Sequence, residues 1–201
     1  MKTSSSDAEE SPKPFDVLEA MFWCNFPDKF RRADWKTPEF VKKYAPPQRR
    51  DGFRDFRGAF LIGPTGRKKT ASLCLMARDW MTAVGRRAAR AWAFVSFPEL
   101  CVKLQESWRD GGHGPTEIIN RLVEVPLLIL DDVGAEKTTE FSLQSAYILL
   151  NKREQNEMPI FGTSNLTIDA ISRKLDDRIA SRIQGMCDVI SVGGEDGRVK
   201  R

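Results

Sequence analysis

The sequence predicts an α/β fold in which a five-stranded parallel sheet is flanked by helices. Short apolar runs alternate with stretches of helical periodicity along the 201 residues, the order that builds a parallel sheet with helical crossovers. The run Pro126–Leu130 is apolar at every position, which is typical of a central strand buried on both faces. Polar residues follow several of these runs, at the sheet edge where α/β proteins bind their ligands.

Composition limits the classes of protein that the chain can represent. It is 41% hydrophobic and 30% charged, and its formal net charge of +4 permits a nucleic acid partner without requiring one. A single histidine argues against a His-based metal site. No apolar run approaches the roughly 18 residues that a membrane span needs, so we expect no membrane association.

The cysteines and the first residues predict the cellular compartment. Cys24, Cys74, Cys101 and Cys187 are widely spaced and form no CxxC pair, which favours buried free thiols in a reducing environment. Residues 1–14 are polar, unlike a signal peptide, and predict a disordered tail. We therefore expect a cytoplasmic protein.

Two further regions follow this tail. Residues 15–57 are expected to form an N-terminal segment of short helices and linkers. The apolar positions within residues 15–26 suit a short amphipathic helix, which would either pack on the main domain or dock to a partner. Residues 58–201 carry the alternating pattern and are expected to form the main domain.

The main domain opens with a buried strand over Gly58–Ile62. Apolar residues at helical spacing predict a helix over 71–84, which Gly85 would end. A second strand is expected over 90–97 and a helix over 98–108. Thr116 is a favourable N-cap residue and predicts that a further helix begins there.

The remaining elements continue the alternation after the apolar strand at 126–130. Thr138 or Thr139 would cap a long helix. The later elements are, in order, a strand over Pro159–Gly162, two short helices begun by Thr167 and Asp176, and a fifth strand over Cys187–Val192.

The eight residues after the first strand have the pattern of a phosphate-binding loop. They are Gly63, Pro64, Thr65, Gly66, Arg67, Lys68, Lys69 and Thr70. In such a loop the backbone N–H groups and the following helix N-terminus converge on phosphate oxygens. Lys69 would reach the β- and γ-phosphates, and the Thr70 hydroxyl would hold magnesium (Mg2+). The pattern predicts a P-loop NTPase with ATP and Mg2+ as its cofactors.

One position departs from that pattern, because Lys68 stands where a glycine is usual. A lysine is costly there if the backbone must adopt a positive φ or approach a phosphate closely. Taken alone, the stretch also fits a strand, a basic turn and a helix with no bound phosphate.

Two aspartates end the apolar strand and strengthen the phosphate-loop interpretation. A P-loop enzyme needs a carboxylate beside its magnesium, held at a strand end. Asp131 would orient magnesium-bound water, and Asp132 would polarise the water that attacks the γ-phosphate. Helix capping or a turn is the alternative. Asn165, after the fourth strand, is expected at the same edge of the sheet.

Six segments, in this order in the chain, together resemble the AAA+ ATPases of the DnaC/IstB type, which are replicative helicase loaders and transposition helper ATPases. The resemblance covers about residues 24–200. The six segments are Phe26–Phe30 before the sheet, the loop at 63–70, Leu130–Lys137 (Walker B), Thr163–Leu166 (sensor 1), Arg178–Ile183 (arginine finger) and Asp196–Arg198 (sensor 2).

The resemblance implies an AAA+ core, with little or no C-terminal lid domain, that hydrolyses ATP between subunits of a homo-oligomer. Residues 15–57 would lead to the adenine site. Asn165 would position the attacking water, and Arg182 would reach the γ-phosphate bound by the neighbouring subunit. Arg178 is the rival for that role. Arg198 would act on the subunit's own nucleotide.

The resemblance also implies that the helices at 98–123 face single-stranded DNA. Lys103, Arg109 and Arg121 would contact phosphates there, and Trp108 would offer a stacking surface. A solvated face with a packed tryptophan is the alternative.

The expected function is that of an ATP-binding, ATP-hydrolysing helicase loader in DNA replication, with single-stranded DNA and a replicative helicase as partners. Three alternatives remain. In the first, the partner is a transposase, as for a transposition helper. In the second, Lys68 alters the loop so that the protein is a nucleotide-binding module with weak or no hydrolysis. The third is a small-molecule P-loop kinase, which would leave Asn165 and Arg182 unexplained.

Overall fold

The computed structural model describes residues 24–32, 36–42, 57–84, 92–109, 114–135 and 139–194. Within these residues one five-stranded sheet has the order β2-β3-β4-β1-β5, and every neighbouring pair is parallel. The predicted five-stranded parallel sheet is therefore confirmed. Its strands are β1 Gly58–Ile62, β2 Trp92–Ser96, β3 Leu127–Asp131, β4 Ile160–Ser164 and β5 Cys187–Ser191.

Helices flank the sheet and connect its strands. Two short helices precede the sheet, and the others follow β1 to β4 along the chain. The helices are α1 Asp28–Arg31, α2 Glu39–Lys42, α3 Lys69–Val84, α4 Phe97–Arg109, α5 Gly114–Glu124, α6 Glu140–Gln155, α7 Ile168–Lys174 and α8 Asp177–Met186.

Local capping determines where several helices begin. Thr139 is the N-cap of α6 and forms a reciprocal capping box with Ser142. Thr167 and Asp176 cap α7 and α8 through their side chains, as predicted. Thr116 was predicted to cap α5, and this is wrong. The helix begins at Gly114, because Pro115 already has the backbone geometry of a first helical turn.

Two apolar clusters sandwich the sheet. One includes α3 and the segment around Phe26, and the other includes α4 to α8. All five residues of β3 are buried, and Ile129 belongs to the first cluster whereas Leu130 belongs to the second. The both-face burial predicted for this strand is therefore confirmed, since successive strand residues point to opposite faces.

The cysteine prediction is confirmed, whereas one helix prediction concerns residues that the structure does not describe. All four cysteines are buried free thiols. Among the described residues, no helix is both long and apolar enough to cross a membrane. Most of the predicted amphipathic helix, residues 15–23, lies outside the described part of the chain.

A buried arginine joins α5, α6 and β4. Arg153 is fully buried, and burial lowers the pKa of its guanidinium to about 9. Its terminal nitrogens donate to the carbonyl oxygens of Leu122 at 2.7 Å and Val125 at 2.8 Å, and also to those of Val123 and Pro159. One cation thus satisfies carbonyls at the C-terminal end of α5, where positive charge is favourable.

We expect Arg153→Met to lower the free energy of unfolding by about 3 kcal/mol, because it leaves several buried carbonyls without donors. Chemical denaturation monitored by circular dichroism measures this loss. Lys152→Met is the matched control. Its ammonium makes one exposed hydrogen bond, to Asn120, so we expect a change below about 0.5 kcal/mol. Equal stability of the two variants would contradict the assigned role of Arg153.

Candidate functional site

Three strand ends bring the predicted polar residues together. In the sheet, β4 lies between β3 and β1, and all three strands run in the same direction. The phosphate loop follows β1, Asp131 is the last residue of β3, and Asn165 follows β4. Residues distant in the sequence therefore meet at the carboxyl edge of the sheet.

Lys69 connects the loop to the end of β4. Its ammonium donates to the carbonyl oxygens of Gly63 at 2.8 Å and Pro64 at 2.9 Å, and to Oδ1 of Asn165 at 2.8 Å. The side chain is buried, so its charge acts in a region of reduced screening. These bonds place Lys69 and Asn165 in one polar cluster, as the sequence predicted for two parts of the same site.

A second cluster lies beside the first, around Asp131. The hydroxyl groups of Thr70 and Thr163 each donate to Oδ1 of Asp131, at 2.7 Å in both cases. The Thr163 oxygen also accepts the backbone N–H of Asp132 at 3.0 Å. Thr163 therefore holds the Asp131 carboxylate and the Asp132 backbone, a role that the sequence did not predict. Only its place in a segment resembling sensor 1 pointed to it.

Burial of Asp131 is the dominant electrostatic feature of the site. It raises the pKa of this carboxyl, and the charge of Asp132 raises it further. Hydrogen bonds from Thr163 and Thr70, and the charge of Lys29, act in the opposite direction. The carboxylate is thus held in place by hydroxyl donors although its surroundings favour the neutral acid.

Thr70 and Asp131 fit a magnesium ion that arrives with a nucleotide. Mg2+ commonly keeps several waters and takes one or two carboxylates together with substrate phosphates. Among the described residues, no group of three or more His, Cys, Asp or Glu side chains could hold a metal ion. A hydroxyl and one carboxylate are therefore a suitable donor pair for Mg2+ bound to ATP, but not for a metal held by protein alone.

The loop backbone shows why glycine is usual where Lys68 stands. Lys68 has φ +57°, in the left-handed region, and Gly66 has φ +81°. For an L residue this conformation costs about 1–2 kcal/mol. Gly63 has φ +142°, and a Cβ added there would lie 2.4 Å from the carbonyl oxygen of Val192. The loop thus has the expected curved backbone, and Lys68 bears strain that glycine would avoid.

Asp132 also has a left-handed backbone, with φ +57°. Aspartate tolerates this region better than most residues, because its short polar side chain can bond locally. The following turn is fixed to β4. The N–H of Val133 donates to the Thr163 carbonyl at 2.9 Å, and the Ser164 hydroxyl donates to the Val133 carbonyl at 2.6 Å.

The two candidate finger arginines lie on α8 and have partners outside the phosphate loop. Arg178 forms hydrogen bonds with Asp176 and lies over the Tyr147 ring, 4.7 Å from its centroid. Arg182 pairs with Glu154 of α6. Among the described residues, neither arginine forms a hydrogen bond with Thr70 or Asp131. Arg198 lies outside the described residues.

The surface of α4 exposes two large apolar side chains. Trp108 is 63% exposed and Val102 is 52% exposed. The Trp108 ring packs at a tilt against Phe141, with 5.6 Å between the centroids. Lys103 and Arg109, on the same helix, are exposed. The helix combines an accessible ring with neighbouring positive charge.

The raised pKa of Asp131 predicts a gain in stability on Asp131→Asn. The asparagine can accept the same hydroxyl bonds without a buried charge. In the folded state the pKa of Asp131 lies above its ordinary 3.8, so the wild type loses stability as the pH rises from 3.8 through the folded pKa. Without nucleotide, we expect the variant to melt at a higher temperature at pH 7, by an amount that shrinks as the pH falls towards 3.8. Thermal melts over this range test it, and an advantage that grows on acidification would contradict it.

Comparison with known proteins identifies relatives for most of the chain. The family model described as IstB-like ATP binding protein matches residues 53–201. The phage-like element PBSX protein XkdC of Bacillus subtilis (strain 168) is 34% identical over 74 residues, which are 34% of this chain and 27% of that protein. The replicative helicase loader DnaC of Escherichia coli (strain K12) is 17% identical over 90 residues, 45% of this chain and 37% of DnaC. These alignments span about a third of the relatives' length.

Solved structures with the same fold cover more of the chain. The crystal structure of DnaI aligns with a TM-score of 0.66 at 23% identity and covers 87% of this chain and 95% of that one. This likeness shows a shared fold. The family match includes the phosphate loop, both aspartates, Asn165 and Arg182. The chain is therefore an AAA+ protein of the DnaC/IstB type and belongs to the family of IstB-like ATP binding proteins.

Proposed function

We propose that this chain binds ATP with Mg2+ in the loop at 63–70 and hydrolyses it as a helicase loader that acts on single-stranded DNA. The observation that carries the proposal is the pair of adjacent hydrogen-bond clusters, Lys69 with Asn165 and Thr70 with Asp131. Their position at one edge of the sheet supports a site that would bind phosphate, magnesium and the attacking water. Residues 58–201 would form the ATPase domain, and residues 15–57 would lead to the adenine side.

Each residue of the site has a distinct task in this proposal. Lys69 brings a positive charge to the β- and γ-phosphates, and Thr70 and Asp131 hold the magnesium that neutralises developing charge when bound. Asp132 accepts a hydrogen bond from the attacking water, and Asn165 orients that water. Asn165 already bonds to Lys69, so one network couples the phosphate cation to the water-positioning amide.

The γ-phosphate needs one further positive charge, which Arg182 would supply from a neighbouring subunit. Its partner Glu154 holds it on α8, and Arg57 fixes the end of that helix. Arg57 donates to the carbonyl oxygens of Gly185 at 2.8 Å and Cys187 at 2.9 Å. A rigid helix that presents an arginine away from its own loop suits a homo-oligomer with a finger in trans. Arg178 remains the rival, and Arg198 is proposed to sense the subunit's own nucleotide.

Single-stranded DNA is the proposed ligand of α4 and α5. The exposed ring of Trp108 can stack on a base, and Lys103, Arg109 and Arg121 are exposed where they can contact phosphates. A loader needs this combination because stacking on an aromatic ring tolerates any base.

The relatives support two candidates for the partner protein. The relative named replicative helicase loader DnaC supports a helicase, whereas the family description, IstB-like, favours a transposase as the second candidate. The strained Lys68 favours a third reading, in which the module binds nucleotide but hydrolyses it weakly or not at all. Measured ATP turnover, with and without single-stranded DNA, separates the hydrolysing readings from that one.

We expect Lys69→Ala to abolish magnesium-dependent ATP binding, because it removes the buried point charge at the phosphates. Calorimetric titration with Mg·ATP measures the affinity. Lys152→Ala, which removes a half-buried lysine of α6, is the matched control and should bind as the wild type does. Unchanged ATP affinity of Lys69→Ala would contradict the phosphate-loop assignment.

We expect Arg182→Ala to bind ATP normally and to lose hydrolysis, by a factor on the order of 10³ if the finger contact is made. Mixed with Lys69→Ala, it should recover part of the activity. In the mixture an intact ATP site on the Arg182→Ala subunit faces an intact Arg182 on the other. ATPase rates at matched total protein measure the ratio of mixed to single-variant activity.

Sedimentation must show that the mixed subunits assemble. Arg173→Ala, on the exposed surface of α7, is the control for loss of an arginine and should retain its own activity. A ratio of one in assembled mixtures would place Arg182 outside the active site and leave Arg178 as the candidate.

A further inference from the structure

Arg67 is the one cation of the phosphate loop whose side chain has no hydrogen-bond partner among the described residues. Its Nε and Nη1 atoms are buried, yet neither has an acceptor. Lys69, two residues later, donates to three oxygen atoms. The loop therefore contains one cation that the fold satisfies and one guanidinium that it leaves with unused donors.

Two nitrogens of the Arg67 guanidinium are buried without acceptors, and this arrangement opposes folding. Buried donors without acceptors are destabilising, and charged donors more so than neutral ones. Arg153 differs at its terminal nitrogens. Its Nε is likewise buried without an acceptor, but carbonyl oxygens accept from both of its terminal nitrogens.

We propose that Arg67 is a second phosphate ligand, whose Nε and Nη1 donate to separate oxygens of the bound nucleotide's phosphate chain. A guanidinium offers several donors in fixed directions, whereas an ammonium acts as a point charge. Phosphate thus supplies the acceptors that the folded chain lacks. The inference rests on the proposed function, because it needs ATP in the loop at 63–70.

The neighbouring residues make the loop a strong polyphosphate site. Arg67, Lys68 and Lys69 are three consecutive cations, and Lys69 is also the first residue of α3. The positive end of that helix dipole adds to their charge. Arg67 then contributes to the affinity for phosphate, and the cost of leaving its donors unsatisfied is relieved when ligand binds.

The test compares Arg67→Gln, Arg67→Lys and Arg173→Gln with the wild type. Calorimetric titrations use Mg·ATP and inorganic triphosphate, the second as a probe without base or ribose. We expect Arg67→Gln to weaken both ligands by about tenfold to a hundredfold, the effect of losing charged hydrogen bonds. Arg67→Lys should recover part of the loss, because it keeps the charge without the fork. Arg173→Gln, an exposed change on α7, should bind as the wild type does.

Melting temperatures without ligand separate this role from a structural one. A phosphate ligand with unsatisfied donors predicts that Arg67→Gln melts at or above the wild-type temperature. Unchanged affinity for both ligands would overturn the inference, and so would a loss of affinity accompanied by a marked drop in melting temperature. Lys69→Ala identifies which proposal fails. If Lys69→Ala still binds ATP, the proposed function fails. If Lys69→Ala does not bind ATP but Arg67→Gln binds it as the wild type does, only this inference fails.

Discussion

The hydroxyl group of Thr163 is the contact on which the arrangement of the site depends. It is fully buried, donates to the Asp131 carboxylate and accepts the backbone N–H of Asp132. The parallel pairing of β3 with β4, in which Leu130 aligns with Gly162, brings it there. A slip of one residue would turn Thr163 to the opposite face of the sheet. The orientation of both aspartates is therefore a consequence of strand register.

The site combines charges that are unfavourable for the folded chain alone. Burial raises the pKa of Asp131, Lys68 occupies a left-handed backbone, and Arg67 has buried donors without acceptors. Magnesium would favour the ionised carboxylate, and phosphate would satisfy the guanidinium. Such local costs are common at functional sites, where the rest of the fold supplies the stability. Here that stability comes from apolar clusters on both faces of the sheet and from the well-bonded Arg153.

Helix α8 carries Arg182, whose partner lies on α6 and not in the phosphate loop. Arg57 holds its C-terminal end, and Glu154 holds Arg182 on its surface. The loop and its carboxylate are meanwhile bonded to one another through Thr70. Among the described residues, Arg182 makes no hydrogen bond to Thr70 or Asp131, so in the proposed mechanism a second copy of the chain would bring the arginine to a phosphate. Assembly and hydrolysis would then be coupled by geometry.

The sequence by itself determined the strands, most of the helices and the loop. Apolar runs, helical periodicity and capping residues such as Thr139 act over a few positions, so they can be read locally. The start of α5 was missed because Pro115 competes with Thr116 within one turn.

Only the tertiary structure decided which side chains become hydrogen-bond partners. Thr70 meets Asp131 across 61 positions and Lys69 meets Asn165 across 96. Likewise, no local pattern shows that two guanidinium nitrogens of Arg67 are buried without acceptors. Strand order and register bring distant segments together, and neither leaves a signal in neighbouring residues.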